Sequence, residues 1–583
     1  MARMYTQAGV GITLSPQKRS VWVDALVFLG LILLVYLIVL MAMRWHTPIA
    51  TKFSINLSPG MLPYYAVLST SRMAVAYIVA LVFSLIYARL AVRSKRIEGI
   101  LIPILDILQS IPILSFMPGV VLGLSALFPG SSIGLELAAV LLIFTSQAWN
   151  ITFGFYQTLL TIPAELKEVA AISGIGFWNT FTRLEVPSGV ISIVWNSMMS
   201  WAGGWFFLMA SEQFTLGNKS FQLPGLGSYL QAAANKGDIT DLLLGLGMLI
   251  LVIVALDQLL WRPLVAWSDK FKIEQNEAGD KPQAWMLTLL RESFVIQFLV
   301  QKMVRPIWVK IDTTIGKVSA SRSKVHNSFT QREHAIAKII WTCISVILIG
   351  ALLGGAFAAL DIFRFLSASE WKMLGIGAGA TLLRTLAALL ISLLWTVPVG
   401  VAIGLHPVWS KKLLPIVQLA ASIPATALFP ALLLIFLMLP GGLDIAAVIL
   451  MLLGTQWYLL FNIIAGAMAI PNDLKEASEI YHITGFRQWK ILILPAIFPY
   501  LVTGMITATG GAWNASIVAE YASFAGKVHQ TVGLGDIIAS AANQSNFPLL
   551  LAGTVTMALV VFSINRLFWQ RIYHLAENRF HFE

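Results

Sequence analysis

Charge is what this chain of 583 residues lacks most: only 11% are charged, 58% are hydrophobic, and the mean hydropathy is +0.79. A soluble domain carries about a quarter charged residues, so a water-facing globular enzyme is excluded. Disorder is excluded as well, because it requires low hydrophobicity. Cysteine is nearly absent. The single Cys343 rules out an intrachain disulfide framework or a thiolate metal site, and within WTCISVILIG it reads as a small buried hydrophobe. Neither GxxxxGK[ST] nor HExxH nor a Cys/His cluster occurs. The chain therefore has no P-loop of its own for ATP, no expected metal ligands, and the makings of a non-enzyme. What remains is an all-α integral membrane protein.

The net charge of +11 calls for a membrane partner rather than nucleic acid, since the question in such a chain is which loops hold the cations. Apolar runs long enough to cross a bilayer, about 20 residues each, fall near 21–43, 64–88, 100–128, 133–161, 187–210 and 241–261. A second set falls near 339–360, 377–405, 413–439, 443–470, 495–517 and 547–565. The first run exceeds a secretory h-region and lacks a cleavage site, so it reads as a retained span. Twelve spans with an inside N-terminus place 17 Lys and Arg inside against 7 outside, leaving aside the long linker. Both termini are thus expected in the cytoplasm. The linker carries 13 basic and 7 acidic residues over 262–338. It reads as an interfacial connector near anionic lipid, with a docking surface for a cytoplasmic partner as the alternative.

The two sets of six repeat each other. Arg72 aligns with Arg384, Pro112 with Pro424 and Pro118 with Pro430 at an offset of 312; Gln147 and Gln456 align at 309. Pro163/Pro471, Glu168/Glu476, Pro187/Pro495, Trp205/Trp513 and Glu212/Glu520 align at 308. Six spans per repeat give both repeats one orientation, a pseudo-twofold axis along the membrane normal and a pathway between them. The expected division is a tail and first span (1–63), a first transport unit (64–262), a basic cytoplasmic linker (263–338), a seventh span with an outer loop (339–376), a second unit (377–566) and a cytoplasmic tail (567–583).

One cytoplasmic loop of each half stands out. Residues 163–187 read PAELKEVAAISGIGFWNTFTRLEVP, and 471–495 read PNDLKEASEIYHITGFRQWKILILP. Each opens with Pro and acidic residues, which suit a helix start, and continues with small residues that let another protein approach closely. Glu168, Ala170, Ala171, Gly174 and Pro187 fit the pattern of the EAA loop of bacterial ABC import permeases. In the second copy Glu476, Ala477 and Pro495 fit, while His482 stands where the pattern has Gly. The flanking SIPILSFMPG, SIPATALFP, PGLGSYLQAAAN and VGLGDIIASAAN resemble the nitrate/sulfonate/taurine group of these permeases over about 64–262 and 377–566.

That resemblance implies a type I ABC importer-like bundle in the bacterial inner membrane, with two permease domains fused in one chain. Two ABC ATP-binding subunits would hold ATP and Mg and seat the EAA loops as coupling helices. An extracytoplasmic solute-binding protein would deliver a small solute, by expectation an oxyanion of the nitrate, sulfonate, taurine or bicarbonate type. The rival is a gradient-driven secondary transporter with six-plus-six helices, although YARLAVRSKRIEG lacks the Asp and spaced glycines of the largest such family.

Pathway candidates are ionisable or strained positions recurring in both halves. Pro112, Pro118, Pro424 and Pro430 would break the third and ninth spans and free carbonyls. Arg72 and Arg384 suit an anion path, or else a snorkelling or structural ion pair. Gln147 and Gln456 offer amide donors or helix ties. Trp205 and Trp513 read as interface anchors, with Glu212 and Glu520 as shapers of an outer gate.

Overall fold

The computed structural model describes residues 55–326, 360–436 and 438–572, apart from residues 130, 174–175, 217–218, 272–283, 525 and 570, together with scattered positions in 22–29 and 350–357. The predicted first and seventh spans fall mostly outside the described residues. Among the latter, seven helices are long and apolar enough to cross a membrane, and one sharply bent pair makes an eighth.

The first half runs α1 (Leu62–Val92), α2 (Lys95–Ser110), α3 (Ile113–Leu127), α4 (Ile133–Thr161), α5 (Ala164–Ile172) and α6 (Val186–Glu212). A hairpin of β1 (Gln213–Leu216) and β2 (Lys219–Gln222) leads to α7 (Leu226–Lys236) and α8 (Ile239–Leu256). A linker helix, α9 (Arg305–His326), follows. The second half repeats the order in α10 (Ala368–Leu405), α11 (Pro407–Ser422), α12 (Ala425–Phe436), α13 (Gly442–Met468), α14 (Asn472–Ile480) and α15 (Leu494–Ala519). The hairpin β3 (Tyr521–Phe524)/β4 (Lys527–Gln530), α16 (Leu534–Asn543) and α17 (Phe547–Ile564) close it. Even the π-turns recur: Phe181–Glu185 and Trp489–Ile493 lead into α6 and α15.

The runs read from sequence as continuous third and ninth crossings are each two helices. Pro112 caps α3 and Pro424 precedes α12, because a proline pushes the residue before it out of the helical region. Ile111 and Ile423 are accordingly extended. The α11–α12 bend is 79°. Ser115 Oγ and the Ser115 N–H take up the carbonyl of Pro112, and the Ala427 N–H takes that of Pro424. Pro118 and Pro430 lie farther on, buried inside α3 and α12.

These bends let the halves exchange helices. Leu114 and Val121 of α3 join a core with Trp513, Ile517, Ile537 and Leu550 of the other half. Reciprocally, Phe429 and Leu433 of α12 join a core with Trp201, Trp205 and Leu208. Each half is completed by the other, so the bundle is one packed body rather than two tethered ones.

Candidate translocation pathway and coupling surface

Near one end of the bundle each half forms a cluster around its arginine, enclosed in the first half and partly open in the second. Arg72 Nε and Nη2 donate to both carboxylate oxygens of Glu136 at 2.6 and 2.8 Å, and Nη1 donates to Glu212 at 2.7 Å and the Pro224 carbonyl at 3.0 Å. Glu212 also accepts from Ser69 Oγ at 2.6 Å and the Gly227 N–H at 2.7 Å. In the second half Arg384 donates to Asp444 at 2.6 Å, Glu520 at 3.0 Å and the Val532 carbonyl at 2.7 Å. Glu520 accepts from Thr381 Oγ1 and the Gly535 N–H, both at 2.8 Å. The clusters fasten α1, α4, α6 and α7 to one another, and likewise α10, α13, α15 and α16. A Cβ on Gly225 or Gly533 would collide with the Glu212 or Glu520 carboxylate, which is why the chain has glycine at both places.

The arginines are therefore structural ion pairs, and Glu212 and Glu520 are their buried partners. Trp205 and Trp513 are 1% and 0% exposed and sit in the core, not at an interface. The carboxylates Glu136 and Asp444 and the hydroxyls Ser69 and Thr381 escape a search for identical residues in the repeat. They match by chemistry, at the same offsets of 308 and 312 as their neighbours.

Between the halves lies a cavity of about 180 Å³, enough for on the order of ten water molecules. Its wall draws on equivalent positions of the two repeats: Ile113 corresponds to Ala425, Trp149 to Trp457, Asn150 to Tyr458, Gly203 to Gly511, and Phe206 to Asn514. Pro424 lines it, at the α11–α12 bend, as does Gln109 near the α2–α3 bend. Asn514 Oδ1 accepts from the Ile113 N–H at 2.6 Å across the halves. Arg72 and Arg384 do not reach this wall, nor do Gln147 and Gln456. Trp149/Trp457 and Glu136/Asp444 fix the α4–α13 offset at 308, so Gln147 corresponds to Thr455. Gln456 lies one residue on, about 100° around the helix. Gln147 is fully buried, packs against Gly204 and Met73, and its amide finds no hydrogen-bond partner among the described residues.

At the opposite end from the arginine clusters, the two loops form short helices, α5 and α14. Glu168 and Glu476 are exposed on them, and Ala170 is buried. Ala477 is half-buried, as are Pro187 and Pro495 at the starts of α6 and α15. Gly174 and the side chain of Ala171 lie outside the described residues. Bulky apolar groups stand out from both loops: Ile172 is 86% exposed, Ile480 74%, Tyr481 76% and Phe486 85%. His482 makes the turn that a glycine would make more easily. At φ +50° it ends α14, with the Ile483 N–H bonded to the Ser478 carbonyl and its own N–H to that of Glu479.

The loops differ in one further contact. Linker helix α9 lies against the first loop, where Trp178 Nε1 and Arg183 Nη2 donate to the two oxygens of Asp312 at 3.0 and 3.2 Å. At the second loop the equivalent residues are Phe486 and Ile491, which cannot donate.

Two interlocked helical repeats, a hinged helix in each and a cavity on the axis they share define a membrane permease. The family model for the binding-protein-dependent transport system inner membrane component matches residues 80–259 and again 396–579. These stretches make up more than half of the chain, which therefore belongs to that family, as a fused permease spanning the inner membrane several times. It is 26% identical over 198 residues to the taurine transport system permease protein TauC of Escherichia coli (strain K12), covering 34% of this chain and 67% of that one. Over 188 residues it is 25% identical to the nitrate import permease protein NrtB of Leptolyngbya laminosa, covering 32% and 64%. The bicarbonate transport system permease protein CmpB of Synechococcus elongatus gives 25% over 187 residues, again 32% and 64%. The chain thus spans about two thirds of the length of these curated relatives.

Proposed function

We propose that this chain is the membrane-spanning subunit of an ATP-driven importer, that its paired loops seat two ATP-binding subunits in the cytoplasm, and that solute handed over by an external binding protein passes through the axial cavity. The observation that carries this reading is the pair of short helices at equivalent places, each exposing a glutamate beside large apolar groups. An apolar surface of that kind at a water-facing end marks a protein contact. Glu168 and Glu476 would pair with basic residues of the ATPases, and the half-buried Ala477 would allow close packing, whereas Ala170 is already covered by its own chain. The taurine, nitrate and bicarbonate named for the relatives support a small polar solute. Hinging at Pro112 and Pro424 supports a cavity whose access alternates as the halves move. Both termini would lie in the cytoplasm, on the side of the coupling loops.

The test is purification of the tagged chain from its host in mild detergent, with co-purifying proteins counted by mass spectrometry. Two P-loop ATPase subunits per chain are expected. A chain carrying Glu168→Lys and Glu476→Lys is expected to insert normally and to retain neither subunit. Retention of both by that variant would refute the coupling assignment.

A further inference from the structure

The two loops are fastened to their own halves by different chemistry. Arg89, in the last turn of α1, reaches the return stretch of the first loop. Its Nε pairs with Glu185 at 2.7 Å, and its Nη2 donates to the Phe177 carbonyl at 2.7 Å. The guanidinium carbon lies 3.5 Å from the centre of the Phe177 ring and 4.7 Å from that of Phe181. One planar group is thus held by a carboxylate, a carbonyl and two rings, with the Arg89 and Glu185 side chains only 14% and 20% exposed. A charge-assisted fork of this kind accepts one orientation of the loop on the helix.

At the repeat offsets the second half has Val401 for Arg89, Ile493 for Glu185 and Gly485 for Phe177. Val401 and Ile493 are buried in one apolar core, and Trp489, the counterpart of Phe181, packs against it. Contact is made at the same places, but apolar packing has no direction. The second loop is tied to itself instead. Ser478 Oγ donates to the Ile483 carbonyl at 2.9 Å and accepts from Gln488 Nε2 at 3.3 Å. Ala170 stands in place of Ser478 in the first loop and denies it both bonds.

We propose that Arg89 is a positioning residue for coupling: it keys the first loop to α1 so that the two move as one body, whereas the second loop shifts on α10 as a unit of its own. A displacement of the first loop then passes directly into the transport helices, and the two seats are mechanically unequal. This rests on the loops being the seats of the ATP-binding subunits.

The experiment uses the full chain with its co-purified partners, carrying Gly203→Cys in the cavity wall and Cys343→Ser. Labelling of the introduced thiol by a water-soluble maleimide is timed with and without ATP and vanadate, beside the rate of ATP hydrolysis. Nucleotide is expected to change the labelling rate. Arg89→Gln should shrink that change about fivefold while hydrolysis continues, and Val401→Ala should leave it as it was. Arg89→Lys, which keeps the ion pair but not the fork, should recover part of it, and it decides the matter if Arg89→Gln fails to assemble. Amide exchange should quicken in Arg89→Gln over residues 177–185 and not over 485–493. An undiminished response in Arg89→Gln, an equal loss in Val401→Ala, or equal quickening of both loops overturns the proposal. A parent chain whose labelling ignores nucleotide defeats the coupling reading itself, whereas a responsive parent with an indifferent Arg89→Gln defeats only the role of Arg89.

Discussion

Replacing Arg72 by Met should destabilise the protein more than replacing Arg384 by Met, although the two arginines are repeat equivalents. The side chains of Arg72, Glu136 and Glu212 are 2%, 6% and 0% exposed. Removing the cation strands two carboxylates away from water, and breaking a buried pair in this way costs about 3–5 kcal/mol. The second cluster is more open. Arg384 is 13% exposed and Asp444 58%, and only Glu520 is fully enclosed. Asp444 can rehydrate, an exposed pair being worth about 0–1 kcal/mol, so the loss there should be about 1–3 kcal/mol. A gap of about 2 kcal/mol corresponds to a factor of about 30 in the folding equilibrium. Unfolding of each purified variant by SDS titration in mixed micelles measures it. Adding Glu212→Gln to Arg72→Met should recover about 1–2 kcal/mol by neutralising one stranded charge, something that restored packing would not do. Equal losses at the two sites, or no recovery in the double variant, would show that desolvation is not what separates the clusters.

Two further substitutions follow from the loops. His482→Gly removes a side chain from a left-handed residue and should stabilise the end of α14 by about 1 kcal/mol, read as slower amide exchange at residues 478–485; unchanged exchange would mean that the turn is unstrained. Asp312→Ala severs the tie between α9 and the first loop, worth about 1 kcal/mol, so exchange over residues 176–183 should quicken about fivefold while residues 484–491 stay as they were. Equal quickening of both loops would show that the linker acts globally.

Much of the bundle was legible because membrane spans and repeats leave coarse signals. Runs of apolar residues mark helices whatever their partners, and the offsets of 308 and 312 reveal which helices correspond. The same signals are blind to direction, so α2–α3 and α11–α12 read as single crossings even though their prolines were evident. Ionisable residues drew attention to Arg72, Arg384, Glu212 and Glu520, which turned out to hold helices together. Their partners Glu136 and Asp444 differ by one methylene and so escaped a comparison of identities. The cavity stayed hidden for the opposite reason. Its wall is made of tryptophan, phenylalanine, glycine and amide residues, the types a membrane helix also uses for ordinary packing, and only the third dimension separates the two uses. Trp149 and Trp457, and Gly203 and Gly511, at the common offset were its traces, together with Pro424.

A permease assembled from two identical subunits must show a passing molecule the same residue from left and right. Here one polypeptide supplies both walls, and they have diverged: Asn150 is answered by Tyr458, and Phe206 by Asn514. A guest turned by half a revolution would exchange an amide for a phenol and a phenyl ring for an amide. The cavity is consequently handed: an asymmetric cargo passing through it would have one preferred way round, and a change on either wall need not be mirrored on the other to be felt.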